Sequence, residues 1–551
     1  MREKKGNNMK LPIKSIDCCH LTVLVSCMSL FLCSCTEPVH DITDYQLDPS
    51  EIDYSVIPRL NQVVPGESLV SLPQTVTVST DLPKACREML GETFRQMGVS
   101  MQEGTNATSF IRCEKSALPS EAYTLTSDGN YITLGAADPK GMVWATQTLR
   151  QLTLNNEIPM GEIKDAPAYA WRCVHLDVAR HMFDLSTLKT LIDQMSFYKI
   201  NYLLLQLSDD QGWRMEIKSF PKLAQTGAWR DFDGSDKECM ARAATNKDME
   251  IDPQFIKDGR YGGYYTQEQL SELVTYASER GVDIIPEIDM PGHMGAAISA
   301  YSWLACHGKV ERSNGGNGFT YPICAGKKQT YDFVDKVLDE VMSIFPCKYI
   351  HIGEDEFTED GSADVNGWKD CVDCIALKKS ENLASDLALQ QYFMDKVAKY
   401  VRSKGKKPLA WDDAFDEGQN QDITYTFWRD WKGLEAGKIT QTGHDLVFGE
   451  WSHFYLSADQ SDQWLTELYN YDYNDNFPGI LSNKLKGFQA STFTEFIPNR
   501  NILFQHAFPA IQVFSERCWS HSRDWDSFKR RLKNDFSRMD QKGIIYRKMD
   551  L

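Results

Sequence analysis

The stretch "HIGEDEF" (351–357) sets three acids in a row, Glu354, Asp355 and Glu356. The preceding "FPCKYI" reads as a short buried strand and the following "FTEDGSADVNGW" as loop, so the acids stand at a strand end. Paired carboxyls can divide general-acid and nucleophile or base roles, yet such pairs usually face each other across a cleft. Neighbours in sequence must either reach one side of a substrate together or merely line a solvated loop.

Other polar and aromatic residues fall where strands are expected to end. They are Arg172 near the first, Asp209 and Asp210, Asp289 with His293, Trp411 and Asp412, Trp428, and Glu495 after the last. The strands themselves are "CVHLDV", "INYLLLQL", "VDIIPEID", "YIHIG", "KPLAW", "ITYTFW", "HDLVFGE" and "GFQASTF", most of them separated by helical runs such as "QEQLSELVTYASERG". Eight such units over about 320 residues predict an α/β fold, a closed (β/α)8 barrel whose chemistry sits at the strand C-termini. An open doubly wound sheet is disfavoured, because no glycine-rich phosphate loop follows the first strand.

At 551 residues a second domain is expected. Residues 61–164 mix strand-like runs ("SLVSLPQTVTVST", "YITLGAA") with helical ones ("CREMLGETFRQMG", "GMVWATQTLRQLT"), which suits a small α/β domain ahead of a barrel spanning 165–551. A net charge of −18 argues against a nucleic-acid partner. Thirteen Trp and 23 Tyr supply rings of the kind that stack on sugars. Residues 1–35 read as a signal peptide: a basic start, the apolar run "LTVLVSCMSLFL", then "LCSC". That ending resembles a bacterial lipobox, which makes Cys35 the expected lipidated residue, followed by a polar tether (36–60). It implies a lipid-anchored location in a bacterial envelope. Ten cysteines remain beyond it; Cys371 and Cys374 form one CxxC pair, and with no second pair at zinc-site spacing they read as a local disulfide or free thiols before a metal site. No cofactor motif is visible.

Residues from about 61 to 520 resemble the glycoside hydrolase family 20 β-N-acetylhexosaminidases. The motifs that carry the resemblance are "AADPKGMVWATQTLRQL", "LDVARHMF", "SDDQGWR", "GGYYTQEQLSELVTYASERGVDIIPEIDMPGH" and "HIGEDE". The resemblance implies an oligosaccharide or glycoconjugate substrate ending in N-acetylhexosamine, cleaved with the substrate's own 2-acetamido oxygen as nucleophile. One acid for the leaving oxygen and one carboxylate beside the acetamide N–H then act on the same side of one sugar, so neighbours can serve. By resemblance Glu356 is the general acid and Asp355 orients the acetamide. Arg172 binds ring hydroxyls, Asp209 and His293 support Glu356 from behind, and Glu495 accepts from a sugar hydroxyl. Trp411 and Trp428 wall the acetamide methyl, and Tyr455 donates to its oxygen. Crowding of acids is expected to keep one of them protonated.

Departures from the family pattern are equally specific. Leu204 and Gln206 replace a usual H-x-H, Glu354 a usual Gly, and Phe493 a Trp that floors the sugar ring. "YLS" at Tyr455-Leu456-Ser457 lacks a carboxylate that normally meets the outer hydroxyls. The reading is therefore an exo-acting, retaining hydrolase of terminal GlcNAc or GalNAc, with tolerance of 6-sulfated sugar expected from Ser457. A decayed hydrolase kept as a glycan receptor is the other class, and nitrophenol release from a nitrophenyl GlcNAc glycoside separates the two.

Overall fold

The computed structural model describes residues 54–551 apart from 154–155, 233–236, 309–321, 357–366, 414, 416–421 and 459. The expected signal peptide with Cys35, and the tether as far as residue 53, lie outside the described residues. Residues 54–60 were expected to be tether, but Tyr54, Val56, Ile57 and Leu60 are buried, so the packed unit begins before residue 61. Among the described residues no helix is long and apolar enough to cross a membrane.

The N-terminal part is a seven-stranded mixed sheet between Gln62 and Asp165, packed against helices Lys84–Gln96 and Pro139–Leu152. Asp138 starts the second helix by accepting from the Gly141 N–H, and Pro139 sits where a missing N–H costs nothing.

Eight parallel strands then close a barrel: β1 (Trp171–Asp177), β2 (Tyr202–Gln206), β3 (Asp283–Glu287), β4 (Tyr349–His351), β5 (Lys407–Trp411), β6 (Thr424–Phe427), β7 (Leu446–Phe448) and β8 (Leu485–Thr492). The period-2 alternation of strands splits their side chains into two groups. Val174, Leu203, Leu205, Ile284, Ile350, Ala410 and Phe488 join the large core under the helices. Cys173, Leu204, Ile285, Tyr349, Leu409 and Val447 form a separate cluster that fills the lower lumen. Two residues further along, the lumen turns polar: His175, Gln206, Glu287 and His351 are all buried. Strand register puts Gln206 beside Glu287 and Glu287 beside His351, so these groups share one layer. The lumen is thus apolar below, polar in the middle and open to chemistry above.

Arg172 belongs to the other end. It is the second residue of β1, about 16 Å below the strand's C-terminus at roughly 3.3 Å per residue. Fully buried, it donates to the carbonyls of Lys199 (2.8 Å) and Tyr169 (2.8 Å) and pairs with Glu121 of the N-terminal domain. The expected contact with a sugar is therefore corrected: Arg172 ties the two domains together at the barrel floor. Beside it, Asp165 accepts from Tyr123 (2.6 Å) and from the indole of Trp519 (3.0 Å), and pairs with Lys199 (3.3 Å). Trp519 ends the helix Ala510–Trp519 and packs into the core of the N-terminal domain.

Candidate active site

At the top of β4 the chain turns sharply, with positive φ at Gly353 (75°), Glu354 (95°) and Glu356 (55°). A Cβ on Gly353 would lie 1.8 Å from Asp289 Oδ1, so glycine is required for the two loops to pass this closely. The Glu354 N–H donates to Asp289 Oδ1 (3.3 Å) and the Glu356 N–H to Asp413 Oδ1 (3.1 Å), which fixes the turn from both sides. The turn aims both carboxyls upward. Glu356 is the more accessible, its side chain 25% exposed against 11% for Asp355. The outer carboxyl suits a leaving group and the inner one a buried part of the substrate.

His293 stands behind the pair. Its Nδ1 lies 3.3 Å from Asp209 and 3.5 Å from Asp210, and its Nε2 lies 3.8 Å from Asp355 and 3.5 Å from Glu356. Burial opposes a charged imidazole, but Asp209 and Asp355 outweigh it and push His293 well above its ordinary value. Burial also presses upward on Glu356, yet the hydrogen bond and charge of His293, with Arg180 behind, hold its carboxyl below the usual value. Burial raises Asp355, and it raises Asp289 well above the carboxylate range with help from the charge of Asp355. Crowding was expected to keep one of the acids protonated; burial and like charge raise Asp355, Glu354 and Asp289, whereas Glu356 is held down by the histidine 3.5 Å away.

An aromatic box adjoins the acids. Trp411, Trp428 and Tyr455 are buried together with Phe493 at its edge. Trp428 and Tyr455 stack at 6.3 Å, and Tyr455 lies 5.1 Å from Phe493. Hydrogen bonds pin the indoles: Trp411 donates to Glu287 (2.9 Å) and Trp428 to Asp413 (2.7 Å). Glu287 in turn sits 3.0 Å from His351 and 3.6 Å from His175. Burial would raise Glu287, but the charge of His351 and the hydrogen bonds of both histidines hold it far below the ordinary range. Burial and then the charges of Asp355 and Glu356 keep Tyr455 a neutral phenol able to donate.

The cation at the rim is Arg180, just past the end of β1. Its guanidinium lies 2.9 Å from Asp209, 3.3 Å from Gln206 Oε1 and 4.0 Å from Glu495, and it sits 5.5 Å over the Phe493 ring. Gln206 also donates to Asp209 (2.7 Å), so the departure on the second strand joins the same network. Asp177 closes it, accepting from the N–H groups of Ala179 and Arg180 and from the N–H and hydroxyl of Thr494. The site thus gathers Asp355, Glu356, Asp209, His293, Trp411, Trp428, Tyr455, Phe493 and Glu495, and leaves Arg172 at the floor. Sequence reasoning missed Arg180, Asp177, Glu287 and Asp413, and named Asp289 only as a strand-end acid without a role. For Arg180 a signal existed: it follows the strand's C-terminus inside "LDVARHMF", where a barrel keeps its chemistry.

Residues 169–522 match the glycosyl hydrolase family 20 catalytic domain, and residues 53–166 match domain 2 of the same family. The chain belongs to glycosyl hydrolase family 20. It is a glycoside hydrolase of the β-N-acetylhexosaminidase type. A beta-hexosaminidase of Porphyromonas gingivalis is 29% identical over 94% of this chain and 67% of its own. One from Akkermansia muciniphila is 29% identical over 76% of this chain and 84% of its own. The crystal structure of a GH20 exo beta-N-acetylglucosaminidase from Vibrio harveyi with N-acetylglucosamine superposes with a TM-score of 0.76 at 27% identity, covering 93% of this chain and 81% of that one.

One feature of this family 20 enzyme works against its own stability. Glu354 is buried at φ 95°, and neither carboxylate oxygen has a hydrogen-bond partner among the described residues. Burial and the neighbouring Asp413 raise it well above its ordinary 4.5. Below about pH 4.5 folded and unfolded chains are both protonated there, so stability is full. As pH rises further the unfolded chain ionises while the folded one does not, and stability falls through that window. Glu354→Gly removes this loss and relieves the backbone, at the cost of glycine's extra unfolded-state freedom. The variant is expected to gain about 1–2 kcal/mol, with a calorimetric Tm advantage that widens from pH 4 towards neutrality. A variant melting below the wild type at neutral pH contradicts this account.

Proposed function

We propose that this enzyme acts from the non-reducing end of glycans, releasing terminal GlcNAc or GalNAc with retention of configuration, and that the substrate's acetamide is the nucleophile. The observation that carries the proposal is the aromatic box of Trp411, Trp428 and Tyr455 set directly beside adjacent carboxyls. A box lined by indoles and one phenol fits a methyl with one carbonyl oxygen. Tyr455 donates to that oxygen, and Asp355 accepts from the acetamide N–H. The carbonyl oxygen attacks C1 while the glycosidic oxygen takes a proton from Glu356 and leaves as an alcohol. Asp355 stabilises the positive charge of the resulting oxazolinium ring. Glu356, now ionised, removes a proton from water as it attacks C1, and the β sugar is released.

The proton needed for the first step comes from His293. Substrate covers Glu356 and excludes water, which penalises an ion pair more than a neutral one. Transfer over 3.5 Å from Nε2 then leaves a neutral imidazole and a protonated Glu356. Arg180 and Glu495 receive the ring hydroxyls, the guanidinium as a planar fork of donors. Ser457, partly exposed two residues beyond Tyr455, supplies a hydroxyl in place of a carboxylate, which supports acceptance of a sugar carrying a 6-sulfate. Lipid anchoring through Cys35 belongs to the same proposal and rests on "LCSC" after a short apolar run.

Glu356→Gln is expected to lower kcat about 10²- to 10⁴-fold on substrates with poor leaving groups and far less on activated aryl glycosides. Asp355→Asn should slow both kinds. Proton NMR of the wild-type reaction should show the β anomer first; initial release of the α anomer rejects acetamide participation.

For the Ser457 reading, two like charges at ~4 Å cost roughly 1 kcal/mol in water and more in a drier pocket. Ser457→Asp should therefore reduce kcat/KM on a 6-sulfated aryl GlcNAc at least about fivefold more than on the plain one. Equal losses on both substrates count against it.

Cys35→Ala should move the protein from the membrane fraction to the soluble one, since a lipidated cysteine with its chains is the anchor proposed. A mutant that still sediments with membranes overturns the anchor.

A further inference from the structure

Four cysteines converge away from the acids, and the function described above does not use them. Cys306 follows the short turn Ser302–Leu304 in the segment after β3, and Cys324 lies further along that segment, just before the helix Lys328–Ile344. Cys371 and Cys374 open the helix Val372–Ser380 after β4. All ten cysteines of the described residues are free thiols. The CxxC pair does not close on itself. Cys324 Sγ lies 3.6 Å from both Cys371 and Cys374, and Cys306 Sγ lies 3.8 Å from Cys374. All four sulfurs lie within 4.8 Å of one another.

These separations decide between the chemistries four thiols can have. A disulfide needs sulfurs at about 2.05 Å, and these pairs, at 3.6 and 3.8 Å, are far wider. A tetrahedral ion with metal–sulfur bonds of about 2.3 Å sets its sulfurs about 3.8 Å apart, which is the spacing seen here. The surroundings fit as well. Three of the four cysteines are fully buried, in a core that includes Trp368, whose indole donates to the Ile323 carbonyl (3.0 Å). The Cys324 N–H donates to the Leu304 carbonyl (2.7 Å), and Ala305 bridges Ile323, so the two ends of the β3 segment are paired beside the sulfurs. Gly326 lets that segment meet the helix: a Cβ there would fall 2.2–2.5 Å from the backbone of Asp373 and Cys374. Cys371 and Cys374, three apart at a helix N-terminus, share one face and the favourable end of the dipole.

We propose that Cys306, Cys324, Cys371 and Cys374 bind one zinc ion as a structural tetrathiolate site. Binding takes Zn²⁺ and four thiols to a zinc tetrathiolate and releases four protons, with no change of oxidation state. The ion joins the segment that carries His293 to the segment that carries Asp355 and Glu356, so it braces the relative position of the proton donor and its acceptor. The reason that a single CxxC disfavoured a metal is removed by the fold, which brings the other two ligands from a different segment.

The test uses the chain purified without chelator and without a histidine tag. Elemental analysis should find about one zinc per chain, and stripping it should lower the thermal midpoint by several degrees. Replacement by cobalt(II) should give the ligand-field and sulfur charge-transfer bands of a tetrahedral thiolate, which a cation on His293 and the acids would not give. Cys374→Ser should lose the metal, whereas Cys173→Ser, far down the lumen, should keep it. If Cys374→Ser does not fold, the wild-type zinc content and the cobalt spectrum decide alone. Two disulfides among these four cysteines on non-reducing peptide mapping, or reduced protein that takes up neither zinc nor cobalt, overturns the proposal.

Discussion

Four carboxylates lie within 4 Å of the two ring nitrogens of His293, and the upper barrel is arranged so that one imidazolium can satisfy them. Without that cation, Asp209, Asp210, Asp355 and Glu356 would crowd together as carboxylates, with Arg180 offsetting part of their charge. Removing one partner of such a set typically costs about 3–5 kcal/mol, because the remaining charges stay desolvated. The turn after β4, the glycine beneath it and the loop bearing His293 at φ 50° all hold the ring where it reaches both pairs. In the mechanism proposed above the same placement gives the acid its proton, so that stability of the free site and supply of that proton draw on one side chain.

Below this cluster the lumen changes character in steps. The apolar floor excludes water, and the layer of His175, Gln206, Glu287 and His351 is affordable only because its members bond to one another. That layer then holds the Trp411 indole from beneath. A sequence of layers, each satisfying the next, replaces the fluid adjustments that loops alone would permit.

The eight-strand beat was legible because parallel strands covered on both faces read as apolar runs, and the acid pair was legible because it stood at the end of one. What stayed hidden depends on direction and distance. "WRCVHLDVAR" offers two arginines, Arg172 and Arg180, and only the direction of β1 shows which one reaches the open end. Glu287 is the last residue of an apolar strand, where nothing local distinguishes an inward polar residue from an outward one. Which acid of the cluster is raised and which is held down was hidden for a related reason, since clustering of acids is visible in the chain but the 3.5 Å separation of His293 from Glu356 is not. The four cysteines come from two segments separated by a helix and a strand, a juxtaposition that spacing alone does not encode.

The burial of Trp519 in the N-terminal core has a consequence in time. During synthesis the seven-stranded sheet leaves the ribosome early, yet Asp165 and the surrounding core lack their last partner until the helix Ala510–Trp519 emerges some 350 residues later. Contacts so distant along the chain close late, because loop entropy must be overcome before they contribute. The small domain is begun first and finished last. Until then its exposed apolar surface is open to other chains, which makes the nascent protein, rather than the folded enzyme, the species most in need of a chaperone.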